Sequence, residues 1–133
     1  MNVRKSVLYA LLIFAVLTLP TPTLAVQGGM FANVTGLFVN STPLPAPATT
    51  GLMYGGCMAL LSSPISKATN SPNCPDNYVS FSCDGTYTTQ AIAQTMYDQA
   101  QLALALNKQV YVKVDDTMLS NGFCTAVLIE LLK

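Results

Sequence analysis

The chain has 133 residues, carries six basic and six acidic side chains, and contains no histidine. That length is the size of one domain. Without imidazole the commonest general base and the commonest metal ligand are both missing, which excludes Ser-His and Cys-His nucleophile pairs. The few basic residues are scattered, which excludes a nucleic-acid footprint.

The N-terminus reads as a secretory leader. Arg4 and Lys5 precede an uncharged apolar run from Val7 to Leu19, Pro20 and Pro22 break it, and Thr23 and Ala25 place small residues at −3 and −1 of a cleavage site. The run falls short of the roughly 20 residues that span a bilayer, and no cysteine follows it closely enough for a lipid anchor. The expectation is a signal peptide over 1–25 and a single exported domain over 26–133, secreted or periplasmic, with no membrane span after removal. Its remaining charges would be Lys67, Lys108, Lys113 and Lys133 against six carboxylates, a net charge of about −2.

Cys57, Cys74, Cys83 and Cys124 all lie in the exported part. An even count in a small exported domain predicts two disulfides, with three pairings open. There is no CxxC spacing and no histidine to complete a zinc site, so no metal and no cofactor is expected.

A first strand is predicted over Gly28–Asn40, with Met30, Ala32, Val34 and Phe38 on one face and Phe31, Asn33, Thr35, Leu37 and Val39 on the other; Gly36 marks a bulge or bend. The proline-rich stretch 40–50 reads as an exposed connector. A second strand is predicted over Gly51–Leu61, with Gly55-Gly56 absorbing a bulge in preference to letting another backbone or a ligand approach closely. Ser62–Asn77 reads as a long polar loop and a candidate binding surface.

A third strand is expected over Tyr78–Cys83, with Val79, Phe81 and Cys83 facing one way. Thr88 or Thr89 then caps a helix to about Leu106. Ile92, Met96, Ala100 and Ala103 form its apolar stripe, flanked by Ala93, Tyr97 and Leu104, while Gln90, Gln94, Asp98 and Gln101 face water. Val110, Val112 and Val114 point inward from a fourth strand. Asp115–Gly122 is expected to be a solvated turn, with Asn121-Gly122 taking positive φ. The last strand, Cys124–Leu132, is apolar on both faces: Val127, Ile129 and Leu131 on one, Ala126 and Leu128 on the other. Two apolar faces point to a partner subunit.

No constellation announces a reaction. Asp84, Asp98, Asp115, Asp116 and Glu130, five of the six carboxylates, could pair on paper, but adjacent Asp115-Asp116 does not make a dyad. The expectation is a non-enzymatic protein with no catalytic residue.

The element order is three strands, one amphipathic helix and two strands. It resembles the OB-fold, a small five-stranded barrel that binds oligosaccharides or oligonucleotides. With the leader, the size and the segment AQTMYDQAQLALALNKQVYVKV, the chain resembles the pentameric binding (B) subunits of bacterial AB toxins over about Gly29–Leu132. The resemblance implies an α+β fold, an antiparallel OB-like barrel with the helix between strands three and four, and a homo-oligomeric ring with glycan sites. It also implies the pairings Cys57–Cys83 and Cys74–Cys124. Tyr54, Tyr78, Tyr87 and Tyr111 are then the sugar-site candidates. The alternative is a periplasmic structural or inhibitor-like protein that binds another protein.

Overall fold

The computed structural model describes residues 24–40 and 53–133. The predicted leader up to Thr23 and the proline-rich connector from Ser41 to Thr50 lie outside the described residues. Among the described residues, one α-helix, five strands and two short 3-10 turns (Met53–Gly55 and Ile65–Lys67) are defined: β1 (Gln27–Val39), β2 (Cys57–Leu61), β3 (Tyr78–Ser80), α1 (Gln90–Leu106), β4 (Gln109–Ser120) and β5 (Phe123–Leu131). The strands form one mixed sheet, so the fold is α+β. Their order is β1-β2-β3-β5-β4, and β4 pairs back onto β1, closing the ladder on itself.

The sheet departs from the antiparallel expectation at one seam, where β3 and β5 run parallel with Ser80 opposite Thr125. The reason is arithmetic. A closed ladder of five strands cannot alternate direction throughout, because five is odd. The other four seams are antiparallel.

Bulges decide which side chains enter the core. In β1, Met30, Ala32 and Val34 are buried at period two. The register then slips between Val34 and Gly36, and the extra residue reverses the phase. Leu37 therefore packs on the core and Phe38 turns outward, opposite to the simple alternation. In β5, Val114 faces Ala126 but Lys113 faces Leu128, so Val127 is the extra residue. Ala126 and Ile129 point in, while Val127 and Leu128 are exposed. The predicted face of Val127, Ile129 and Leu131 is thus broken.

Three predicted boundaries also move. The second strand starts at Cys57, preceded by a single 3-10 turn over Met53–Gly55. The third ends at Ser80, and the chain turns away at Ser82 with φ 57°. The fourth runs on to Ser120, leaving only Asn121 and Gly122, at φ 51° and 87°, to form the hairpin turn that demands two positive φ values. Asp115 is consequently a buried strand residue, 3% exposed, rather than part of a solvated turn.

Helix α1 starts where Thr89 Oγ1 accepts a hydrogen bond from Ile92 N (3.3 Å) and ends at left-handed Asn107. Its buried face is Ala93, Met96, Tyr97, Ala100 and Ala103. The alanines let it sit close against β1 and β5, and Tyr97 meets core Phe81 edge-on at 5.9 Å. That face centres on Ala93 and Ala100, so Ile92, in the first turn, falls on its rim and is 53% exposed instead of buried.

The segment between β2 and β3 is no free loop. Ile65, Ala68, Pro72 and Cys74 are buried, and Thr69 N donates to Gly29 O (2.9 Å). Two disulfides, Cys57–Cys83 and Cys74–Cys124, hold Cα atoms 5.7 and 5.6 Å apart; the second ties this segment to β5.

Candidate functional site

The outer face of β1, β2, β3 and β5 carries a run of aromatic side chains. Phe38 lies opposite Met58 across the β1–β2 seam, and Met58 opposite Ser80 across the β2–β3 seam. Period-two alternation puts Phe38, Met58 and Tyr78 on the side away from core residues Ala59 and Val79. Phe123, at the start of β5, follows the Asn121-Gly122 turn onto the same surface. The rings form a chain: Phe38 to Tyr78 at 5.6 Å, Tyr78 to Phe123 at 5.7 Å, and Phe123 to Tyr54 at 5.5 Å. Tilted and edge-on geometries at these separations are the favourable ones for aromatic pairs.

Together these rings line a groove of about 330 Å³, completed by Val39, Asn40, Gly56, Cys57 and Met58. That is within the size range of small-ligand sites. Met58 is buried beneath it, outside the core cluster.

The wall carrying Tyr54 has an uncommon backbone. Tyr54, Gly55 and Gly56 all take positive φ, at 58°, 72° and 82°. For tyrosine that region is strained. Hydrogen bonds hold it: Ser80 Oγ donates to Tyr54 O (3.0 Å), Asp84 N to Gly55 O (3.1 Å) and Asn40 N to Gly56 O (2.9 Å). The turn presses on the sheet so closely that a Cβ at Gly55 would collide with Ser80 Oγ and lie 2.9 Å from Ser120 Oγ. Gly55 is therefore a point of close backbone approach and not the strand bulge read from the sequence. The Cys57–Cys83 disulfide fastens the base of this wall.

Of the four tyrosines singled out in the sequence, the structure brings two together. Tyr54 and Tyr78 line the groove. Tyr87 instead donates from its hydroxyl to Leu119 O (2.9 Å), pinning the turn before α1 to β4. Tyr111 stacks on Phe31 across the β1–β4 seam at 5.0 Å. Sequence reasoning missed Phe38 and Phe123. The signal for the first was Gly36, whose bulge turns Phe38 outward; for the second it was the Asn-Gly turn that places Phe123 at its mouth.

Among the described residues, no charged side chain lines the groove. The polar side chains in its lining are those of Asn40, Tyr54 and Tyr78. The carboxylates are elsewhere. Asp115 accepts hydrogen bonds from Gln27 Nε2 (3.0 Å), Thr117 N (2.9 Å) and Thr117 Oγ1 (2.6 Å). Burial pushes its carboxyl up, but the bonds from the Thr117 hydroxyl, Gln27 and the Thr117 and Met118 backbone outweigh that and hold it below the usual carboxylate range. Among the described residues, no group of three His, Cys, Asp or Glu side chains could hold a metal ion.

No protein-family model, curated protein or solved structure matches this chain.

Proposed function

We propose that the chain is an exported, non-enzymatic binding module, an OB-like barrel that takes a neutral saccharide in the aromatic groove. The observation that carries this is the uncharged chain of rings Phe38, Tyr78, Phe123 and Tyr54. Flat aromatic faces pack on the C–H faces of sugars, and tyrosine hydroxyls meet sugar hydroxyls at the rim. A nucleic acid would need a basic groove to offset its phosphates, and none is offered here.

The connectivity supports the same reading. The strand order β1-β2-β3-β5-β4 with a helix between β3 and β4 supports an OB-like reading, in which the ligand surface is strands two and three with the loops joining strands one to two and four to five. The lining fits that reading, since Asn40 and Tyr54 flank the first connection and Phe123 follows the second. Two disulfides fit an oxidising compartment, and no helix among the described residues is long and apolar enough to cross a membrane.

The test is a screen of the oxidised protein against neutral and acidic oligosaccharides, repeated with Tyr78→Ala and with Tyr111→Ala. The reading expects neutral ligands, lost with Tyr78→Ala and kept with Tyr111→Ala. Binding indifferent to Tyr78 overturns it.

The resemblance to toxin binding subunits adds a ring of like subunits. Exposed apolar side chains on β1 and β5, Phe31 (61% exposed), Val127 and Leu128, support an assembly. Light scattering on a sizing column decides: a mass near five protomers supports the ring, and a monomer removes it. The second reading, a module for another protein, is favoured by apolar Met58 and Val39 in the groove lining, which would suit an extended apolar peptide.

A further inference from the structure

The described chain begins with two exposed residues, Leu24 (85% exposed) and Ala25, and enters the fold at half-buried Val26. Val26 N lies 2.8 Å from Asp116 Oδ1, and Asp116 N donates back to Val26 O (3.2 Å). The other oxygen of the same carboxylate, Oδ2, accepts from Asn73 N (3.2 Å), beside the Cys74–Cys124 disulfide. The next residue repeats the pattern, with Gln27 Nε2 on Asp115 Oδ2. One carboxylate on β4 therefore gathers the first residue of the folded body and the segment between β2 and β3.

From this geometry we propose that Asp116 is a built receptor for the α-ammonium group created when the leader is removed between Ala25 and Val26. The proposal rests on the signal-peptide reading and is independent of the groove. Hydrolysis by a leader peptidase breaks the Ala25–Val26 C–N bond. Water supplies the hydroxyl of the new Ala25 carboxyl group and a hydrogen to the new amine, which takes a further proton at neutral pH. A neutral N–H donor thereby becomes a cation already placed at hydrogen-bond distance from a carboxylate, and charge-assisted bonds are the stronger kind. Processing at this bond tightens the start of β1, whereas a cut one residue either way leaves the charge misplaced.

The charged groups around Val26 are the carboxylates of Asp115 and Asp116 on β4, with Lys113 two positions before Asp115 on that strand. The segment packed from the other side contributes neutral Asn70 and Asn73. An ammonium next to carboxylates has a raised pKa. Its contribution is fully present below the unfolded-state value of about 8 and is lost as pH rises through the folded-state value.

The experiment uses the protein recovered from an exporting host. Its intact mass is expected to correspond to 26–133; a start elsewhere overturns the processing position. A portion is then Nα-acetylated at mildly acidic pH, where lysines stay protonated, and melted beside untreated protein. The free amine is expected to raise Tm by about 2–5 °C at pH 7, less at pH 10, and not at all in Asp116→Asn. An equal Tm with and without the acetyl group overturns the receptor. If Asp116→Asn does not fold, NMR titration of the wild-type α-amine serves: a raised pKa supports the proposal, and a value at or below about 8 overturns it.

Discussion

Tyr78 and Phe123 stand 5.7 Å apart, centroid to centroid, with their planes at 75°. They come from β3 and β5, the one parallel seam of the sheet, where Ser80 faces Thr125. Closing an odd-numbered ladder creates that seam, and the seam joins the aromatic residues of separate strands into a single surface.

Removing either ring is expected to open the middle of the groove. Tyr78→Ala and Phe123→Ala should each weaken ligand binding about tenfold, or about 1.4 kcal/mol, in the range of aromatic contributions. Tyr111→Ala should leave affinity unchanged, because its partner Phe31 lies on the β1–β4 seam. Calorimetric titration of the three variants checks this.

The wall at Tyr54 depends on glycine. Gly55→Ala places a methyl group against Ser80 Oγ at φ 72°, and should cost about 2 kcal/mol or more. Gly122→Ala has a similar φ, 87°, with nothing within 4 Å, and should cost only about 1 kcal/mol. Urea unfolding of both separates crowding from backbone strain.

The two disulfides should differ in what their loss does to binding. Each closes a long loop, 26 and 50 residues in separation, and is worth about 3–4 kcal/mol on loop entropy. Cys57 lines the groove and Cys74 does not. Paired replacement of Cys57 and Cys83 should lower both stability and affinity, whereas replacing Cys74 and Cys124 should lower stability alone. Melting curves and titrations of the two double variants test the split.

Asp115 gives the protein a pH signature. Its folded-state pKa is depressed, so the stability it contributes is present above the unfolded value of about 3.9. That stability is lost as pH falls through the folded value. Asp115→Asn should therefore cost about 1–3 kcal/mol near neutrality, with the gap to wild type closing as the pH is lowered below 4. Denaturant unfolding from pH 7 to 3 measures it.

Much of the element order was legible because periodicity is local. Val110, Val112 and Val114 alternate without interruption, and the cap at Thr89 precedes an alanine-lined face, so β4 and α1 could be placed from their own residues. The bulges were harder. Gly36 advertised an irregularity, but only pairing with β2 reveals that it turns Phe38 outward. Val127 carries no such mark, since a β-branched residue is an ordinary strand residue; its displacement comes from matching β5 to β4. Asp115 looked like a turn residue because its partner across the seam, Gln27, is chosen by the β1–β4 register. The groove was half legible: tyrosines invite selection as sugar-site residues, whereas Phe38 and Phe123 are recruited to the surface by a bulge and a hairpin.

NMR titration of the oxidised protein with the neutral oligosaccharide that binds best, at low and high salt, decides whether the aromatic groove is the saccharide site. Saturable shifts confined to Phe38, Tyr54, Met58, Tyr78, Phe123 and their neighbours are expected, with an affinity that salt does not change. Shifts centred on Phe31 and Tyr111, a steep salt dependence, or no saturable binding by any neutral saccharide would contradict it.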